Sequence, residues 1–124
     1  MELEFEFDSV AGIAIGVARG RITLAEMRAA AVSGWNQAGG ANLRILWDLR
    51  EAEFDLETDE VRKLAEFAKN SSPAISLRAA FVVSGDLEFG LIKMFQVFRG
   101  TETAQARVFR DKERAMEWLR TGIE

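Results

Sequence analysis

The chemistry available to this chain lies in its acidic and basic side chains. It has 20 Asp and Glu against 16 Lys and Arg, with no histidine, cysteine or tyrosine. That inventory removes the groups that most often move protons near neutral pH, act as thiol nucleophiles or bind transition metals. The remaining candidates follow apolar, strand-like phrases: Asp48 and Arg50, then Ser84 and Asp86, then Arg110 and Asp111. In an open parallel sheet such positions share the carboxyl edge, where ligands gather. Asp48, Arg50, Ser84 and Asp86 therefore define a candidate ligand crevice. Two carboxylates work as acid and base only where their surroundings drive their pKa values apart. Helix capping gives Asp86 and Asp111 an ordinary role instead. A Mg²⁺ site asks for clustered carboxylates, and these positions hold no Asp-x-Asp phrase. Ser84-Gly85-Asp86 lacks the glycine and lysine spacing of nucleotide loops. No catalytic residue, metal or cofactor is expected, and the protein reads as non-enzymatic. Arg44, Arg78 and Arg107 each fall near a strand start, where adjacent strands would line them up as a basic row for an acidic partner.

Those groups need a scaffold, and the apolar spacing describes one. Leu3, Phe5 and Phe7 alternate with Glu4 and Glu6, the pattern of a half-buried strand with an acidic outer face. Ile13, Ile15 and Val17 predict a second strand, antiparallel to the first. Thr23-Leu24-Ala25-Glu26 is a capping box. It opens a helix carrying Leu24, Met27, Ala31, Val32 and Trp35, with Gly39-Gly40 as its stop. Residues 43–49 predict a third strand. Thr58 is expected to cap a second helix with Val61, Leu64, Ala65 and Ala68, and Pro73 falls in the loop beyond. The unbroken apolar run in residues 77–84 suits a central strand covered on both faces. Asp86 is expected to cap a third helix reaching about Arg99. Residues 106–110 predict a fifth strand. Asp111 opens a last helix with Ala115, Trp118 and Leu119 inward and Gly122 at its end.

The expectation is one α/β domain over residues 1–124, ordered ββαβαβαβα, with a five-stranded, mostly parallel sheet and four helices. The start of the chain is acidic and alternating, unlike a signal peptide. The longest apolar run, residues 10–18, has nine residues, about half of what a membrane-spanning helix needs. A cytoplasmic protein without an integral membrane segment is expected. The net charge of −4 argues against nucleic acid as a partner, because phosphates reward a basic face.

The element order and several phrases resemble the SpoIIAA-like family, with the related STAS and CRAL-TRIO domains. The phrases are Gly20-Arg21-Ile22-Thr23, Ile45-Leu46-Trp47-Asp48-Leu49-Arg50, and Val108-Phe109-Arg110-Asp111-Lys112-Glu113-Arg114-Ala115-Met116-Glu117-Trp118-Leu119. The resemblance implies a βα superhelix. It also implies either regulation through protein contact, as in STAS domains, or an apolar or lipid-like ligand, as in CRAL-TRIO domains. STAS antagonists carry a phosphorylatable serine in an Asp-Ser-Ser/Thr-Gly motif after the third strand. Here the region reads Phe54-Asp55-Leu56-Glu57-Thr58, so Leu56 and Glu57 replace the hydroxyl residues.

The third helix bears on both implied functions. Leu87, Leu91, Met94, Phe95 and Phe98 form a core stripe, while Phe89, Ile92 and Val97 fall off it. Another helix of the chain, a partner subunit or an apolar ligand would each cover them. The first expectation is an interaction surface of Phe89, Ile92 and Val97, serving a protein partner or a homodimer. The alternative is a small apolar ligand in a cavity between this helix and the sheet, lined by Phe81, Val83, Phe95 and Phe98.

Overall fold

Alternation and capping produce the elements. The computed structural model describes residues 1–38, 42–71, 76–100 and 104–122. Strand β1 (Glu2–Asp8) pairs antiparallel with β2 (Ile13–Ile22), so that Leu3, Phe5 and Phe7 stand opposite Ala18, Gly16 and Ala14. Asp8 makes the turn: its Oδ1 accepts from the backbone N–H of Val10 at 3.1 Å and of Ala11 at 3.0 Å. Helix α1 (Leu24–Ala38) opens on the expected box. The Thr23 N–H donates to Glu26 Oε1 at 3.1 Å, and the Glu26 N–H donates to Thr23 Oγ1 at 3.4 Å.

Strand β3 (Asn42–Phe54) is longer than its apolar run suggests. A register shift opposite Val17 and Arg19 lets Ala52 and Phe54 return to the buried side after Leu49. Helix α2 (Thr58–Ser71) begins at Thr58 itself. The residue expected as its cap is thus already helical, and Glu60 Oε1 reaches back to the Glu57 N–H at 3.0 Å. Strand β4 (Ser76–Val82) leads to α3 (Asp86–Arg99), where Gly85 is the N-cap and no side chain caps. Asp86, expected as the cap, is the first helical residue. Strand β5 (Ala104–Phe109) precedes α4 (Lys112–Thr121). Here Asp111 does cap, accepting from the Glu113 N–H at 2.8 Å, and Gly122 ends the helix at φ 71°. The expected stops at Gly39-Gly40 and Pro73 lie outside the described residues.

The sheet order is β1-β2-β3-β4-β5, and β2 through β5 run parallel. Helices α1, α2 and α3 lie in a row on one face. They bury Ala30 and Trp35, Val61 and Ala65, and Leu91 and Phe95 against sheet residues that include Ala14, Ile45 and Trp47. Helix α4 alone packs on the other face, where Ala115, Trp118 and Leu119 meet Ile13, Ile15, Leu46, Ala80 and Val82.

Trp47 sets the spacing of the three-helix face. A Cβ on Gly16 in β2 would lie 2.7 Å from its ring, and so would a Cβ on Gly34 in α1. Two glycines thus make room for one indole between sheet and helix. Phe5 meets the same ring edge-on, with centroids 5.7 Å apart.

The basic row of Arg44, Arg78 and Arg107 does not form. Arg44 and Arg78 are cross-strand partners, but Arg107 pairs with Ala80 in register rather than beside them. Arg107 stacks over Phe109 and Trp118, and Arg78 reaches Gly122 at the carboxyl end of α4. A cation there complements the helix dipole.

Candidate functional site

Two ion pairs hold the expected crevice residues at the carboxyl edge. Asp48 and Arg50 are two residues apart on β3. The Arg50 Nε donates to Asp48 Oδ1 at 2.9 Å, and Nη2 donates to Oδ2 at 2.7 Å. The Arg50 backbone N–H adds a third bond at 3.3 Å. Asp48 is buried, and burial alone would raise its pKa. The Arg50 hydrogen bonds outweigh that effect and hold the carboxyl below its ordinary value. Asp48 is therefore a fixed anion at neutral pH, with no proton to give.

Asp86 sits on the second pair. Arg110 donates through Nη2 to Asp86 Oδ1 at 2.7 Å and through Nη1 to the Ser84 carbonyl at 3.0 Å. Its guanidinium also lies 4.5 Å from the centre of the Phe89 ring. The four crevice residues thus split, Asp48 and Arg50 to one pair and Ser84 and Asp86 to another. Arg50 and Arg110 share an open groove with Asp111 and Lys112 beside α4. Among the described residues no three acidic side chains are grouped to hold a metal ion. Thr58, the hydroxyl nearest the altered STAS motif, is exposed in the first turn of α2.

The expected surface of Phe89, Ile92 and Val97 is not one surface. Ile92 is 6% exposed and belongs to the core cluster, Phe89 is half-buried beneath Arg110, and Val97 is 80% exposed. The helical wheel assumed a single buried face. Helix α3 has two, because α2 packs along its side as the sheet packs beneath it. The apolar side chains that α3 does leave exposed are Leu87, Val97 and Phe98.

A cavity of about 100 Å³ lies between the sheet and the row of helices. Phe81 and Phe95 line it, meeting edge-on at 5.7 Å. Val83 is fully buried but stands away from its wall, and Phe98 is 40% exposed outside it. The expected site under α3 is therefore part of a longer space that also runs beneath α1 and α2. Alanines explain the space: Ala30 and Ala31 of α1, Ala68 of α2, Ala79 of β4 and Ala106 of β5 all face it. A methyl side chain does not fill the gap that the Trp47, Phe81 and Phe95 rings hold open.

Arg99, the last residue of α3, lines the same cavity and is 6% exposed. Burial pushes its guanidinium below the usual arginine value, and no anion among the described residues offsets that. In the sequence Arg99 only marks where a helix stops. An arginine in a final helical turn reads as a solvated dipole partner, and its burial follows only from the way α3 meets β5.

The SpoIIAA-like family model matches residues 13–120. A search of curated proteins finds no match. Among solved structures, the chain is similar to an uncharacterized protein of the DUF3478 family, with a SpoIIAA-like fold, from Shewanella loihica PV-4. The two share 19% identity and superpose with a TM-score of 0.60, over 95% of this chain and 92% of that one. That likeness concerns the fold. No helix among the described residues is long and apolar enough to cross a membrane.

Proposed function

The chain belongs to the SpoIIAA-like family, and we propose that it acts as a non-catalytic binding domain whose receptor is the apolar cavity under α1, α2 and α3. The observation that carries this reading is the cavity itself, about 100 Å³ in a fold whose other face is closed. Protein interiors are close-packed, and a void forfeits the contacts its walls would make. An apolar cavity of about 150 Å³ accommodates benzene. By that scale this one takes an apolar body of roughly four carbons. The ion pairs at the carboxyl edge support a non-catalytic role, since Asp48 and Asp86 are each engaged by an arginine.

Cyclopentane, neutral, compact and slightly above that four-carbon scale, tests the reading at saturating concentration. Titrated into the protein, it should shift the methyl NMR signals of Ile45, Leu49 and Ile92 saturably while leaving Val82 and Leu119 on the other face unmoved. Absence of a saturable shift, or equal shifts on both faces, would overturn the proposal.

A second reading is protein contact, favoured by Val97 and Phe98, adjacent and exposed at the last turn of α3. Its homodimer form requires a dimer in sedimentation at micromolar concentration that Val97→Glu converts to monomer. A wild-type monomer across that range excludes it.

A further inference from the structure

We infer that the cavity's ligand is a small apolar monocarboxylate, its chain among the alanines and rings and its carboxylate paired with Arg99. This rests on the cavity being a binding site and adds the chemical class of what it binds.

The argument starts from how the fold treats its arginines. Arg19, Arg21, Arg50, Arg62, Arg110 and Arg120 each pair with a carboxylate, and all six are at least a third exposed. Arg28 lies over the Phe67 ring and Arg107 over Phe109 and Trp118. Arg99 is the arginine that lines the cavity. It is 6% exposed, and no ion pair or hydrogen bond engages its guanidinium among the described residues. A guanidinium carries five N–H donors and stays protonated in proteins. Burying it unpaired is expensive. The carbonyl ends of α3 ease that cost, because a cation in the last turn meets the negative end of the helix dipole. They leave the guanidinium of a cavity-lining residue without a carboxylate among the described residues.

What would use that fork of donors follows from geometry and charge. Two parallel N–H groups fit a carboxylate bidentately. Among the described lining residues Arg99 is the one cationic side chain, and the α-ammonium of Met1, which also lines the cavity, is already paired with Glu26 at 3.0 Å. A single positive charge in apolar surroundings matches a single negative charge. A phosphate dianion would bring a second charge with nothing to meet it. The volume, about 100 Å³, limits the body to a short or branched chain of roughly four carbons. The carboxylate therefore binds at Arg99 and the chain lies among the apolar residues of the wall, Trp47 and Leu49 included.

The test compares 3-methylbutanoate with its neutral isostere 3-methylbutanamide by calorimetry at neutral pH, with cyclopentane as the control for the cavity. Wild type should bind the acid at least about tenfold tighter than the amide. Arg99→Met should erase that preference while still binding cyclopentane. Arg99→Lys keeps the charge without the fork and should fall between. Acid and amide binding equally well to wild type would overturn the inference even if cyclopentane binds, and so would a preference surviving in Arg99→Met. If Arg99→Met fails to fold by circular dichroism, the wild-type comparison and Arg99→Lys decide the matter. If cyclopentane too leaves wild type unmoved, it is the cavity reading that has failed.

Discussion

Under α4 the sheet presents Ile13, Ile15, Leu46, Ala80 and Val82, each 7% exposed or less, and Trp118 and Leu119 close over them. Under α1, α2 and α3 the same sheet presents rings and alanines around a cavity of about 100 Å³. The difference follows from the number of helices. A single helix meets only the sheet, so its large side chains can be fitted to one surface. Helices in a row must meet the sheet and one another, and α3, packed on both α2 and β5, buries Ile92 as well as Leu91 and Phe95. Small residues let the helices approach, and space remains where the approach is incomplete. The dense face is filled, and the looser face keeps the space in which we propose that a ligand binds.

The largest way to break this contrast is Trp118→Ala. The side chain is 3% exposed, and its loss from a dense cluster should cost about 3–5 kcal/mol in urea denaturation. A loss near 1 kcal/mol would mean that the α4 face yields as readily as the other. Next in size are paired enlargements. Ala80→Leu overfills the α4 face and should destabilise by about 1–3 kcal/mol. Ala30→Leu places the same atoms beside the cavity. It should leave stability within about 1 kcal/mol of wild type and abolish cyclopentane binding. Equal losses from the two substitutions would erase the distinction.

The smallest effect sharpens the electrostatic side. The Asp48 pKa is lowered in the folded state, chiefly by its hydrogen bonds from Arg50. Its contribution is therefore full above the ordinary aspartate pKa and is lost as pH falls through the lower, folded value. Arg50 is half-exposed, which screens the pair. Asp48→Asn should cost about 1 kcal/mol at pH 7, and the difference from wild type should shrink to nothing in acid. A constant difference across pH would assign the effect to packing rather than charge.

Much of the scaffold was legible because its signals are local. The Thr23 to Glu26 box, the Asp111 cap and the Gly122 stop each depend on neighbours within four residues, and the alternation of strand and helix phrases fixes the parallel order. The extension of β3 past Leu49 was not legible, because a register shift breaks the alternation that announces a strand. Ile92 was misplaced because a helical wheel carries no knowledge of a second helix beside it. The cavity lies further from reach. Ala30, Ala68, Ala79 and Ala106 each read as ordinary small core residues, and the volume they leave exists only when four elements meet. The same holds for Arg99, whose spacing along the chain does not reveal its burial.

The strand order has a consequence in time. Every strand joins the sheet beside the strand made just before it, so each parallel pairing waits only for the single helical crossover that precedes it. During synthesis the row of α1, α2 and α3 can dock as each crossover emerges. The other face has no such schedule. Ile13, Ile15, Leu46, Ala80 and Val82 wait for Lys112–Thr121 to cover them. A chain halted before that helix would display five apolar side chains on a finished sheet, a surface fit for a chaperone or an aggregate. The ten residues of α4 act as the latch that turns a nascent sheet into a closed domain.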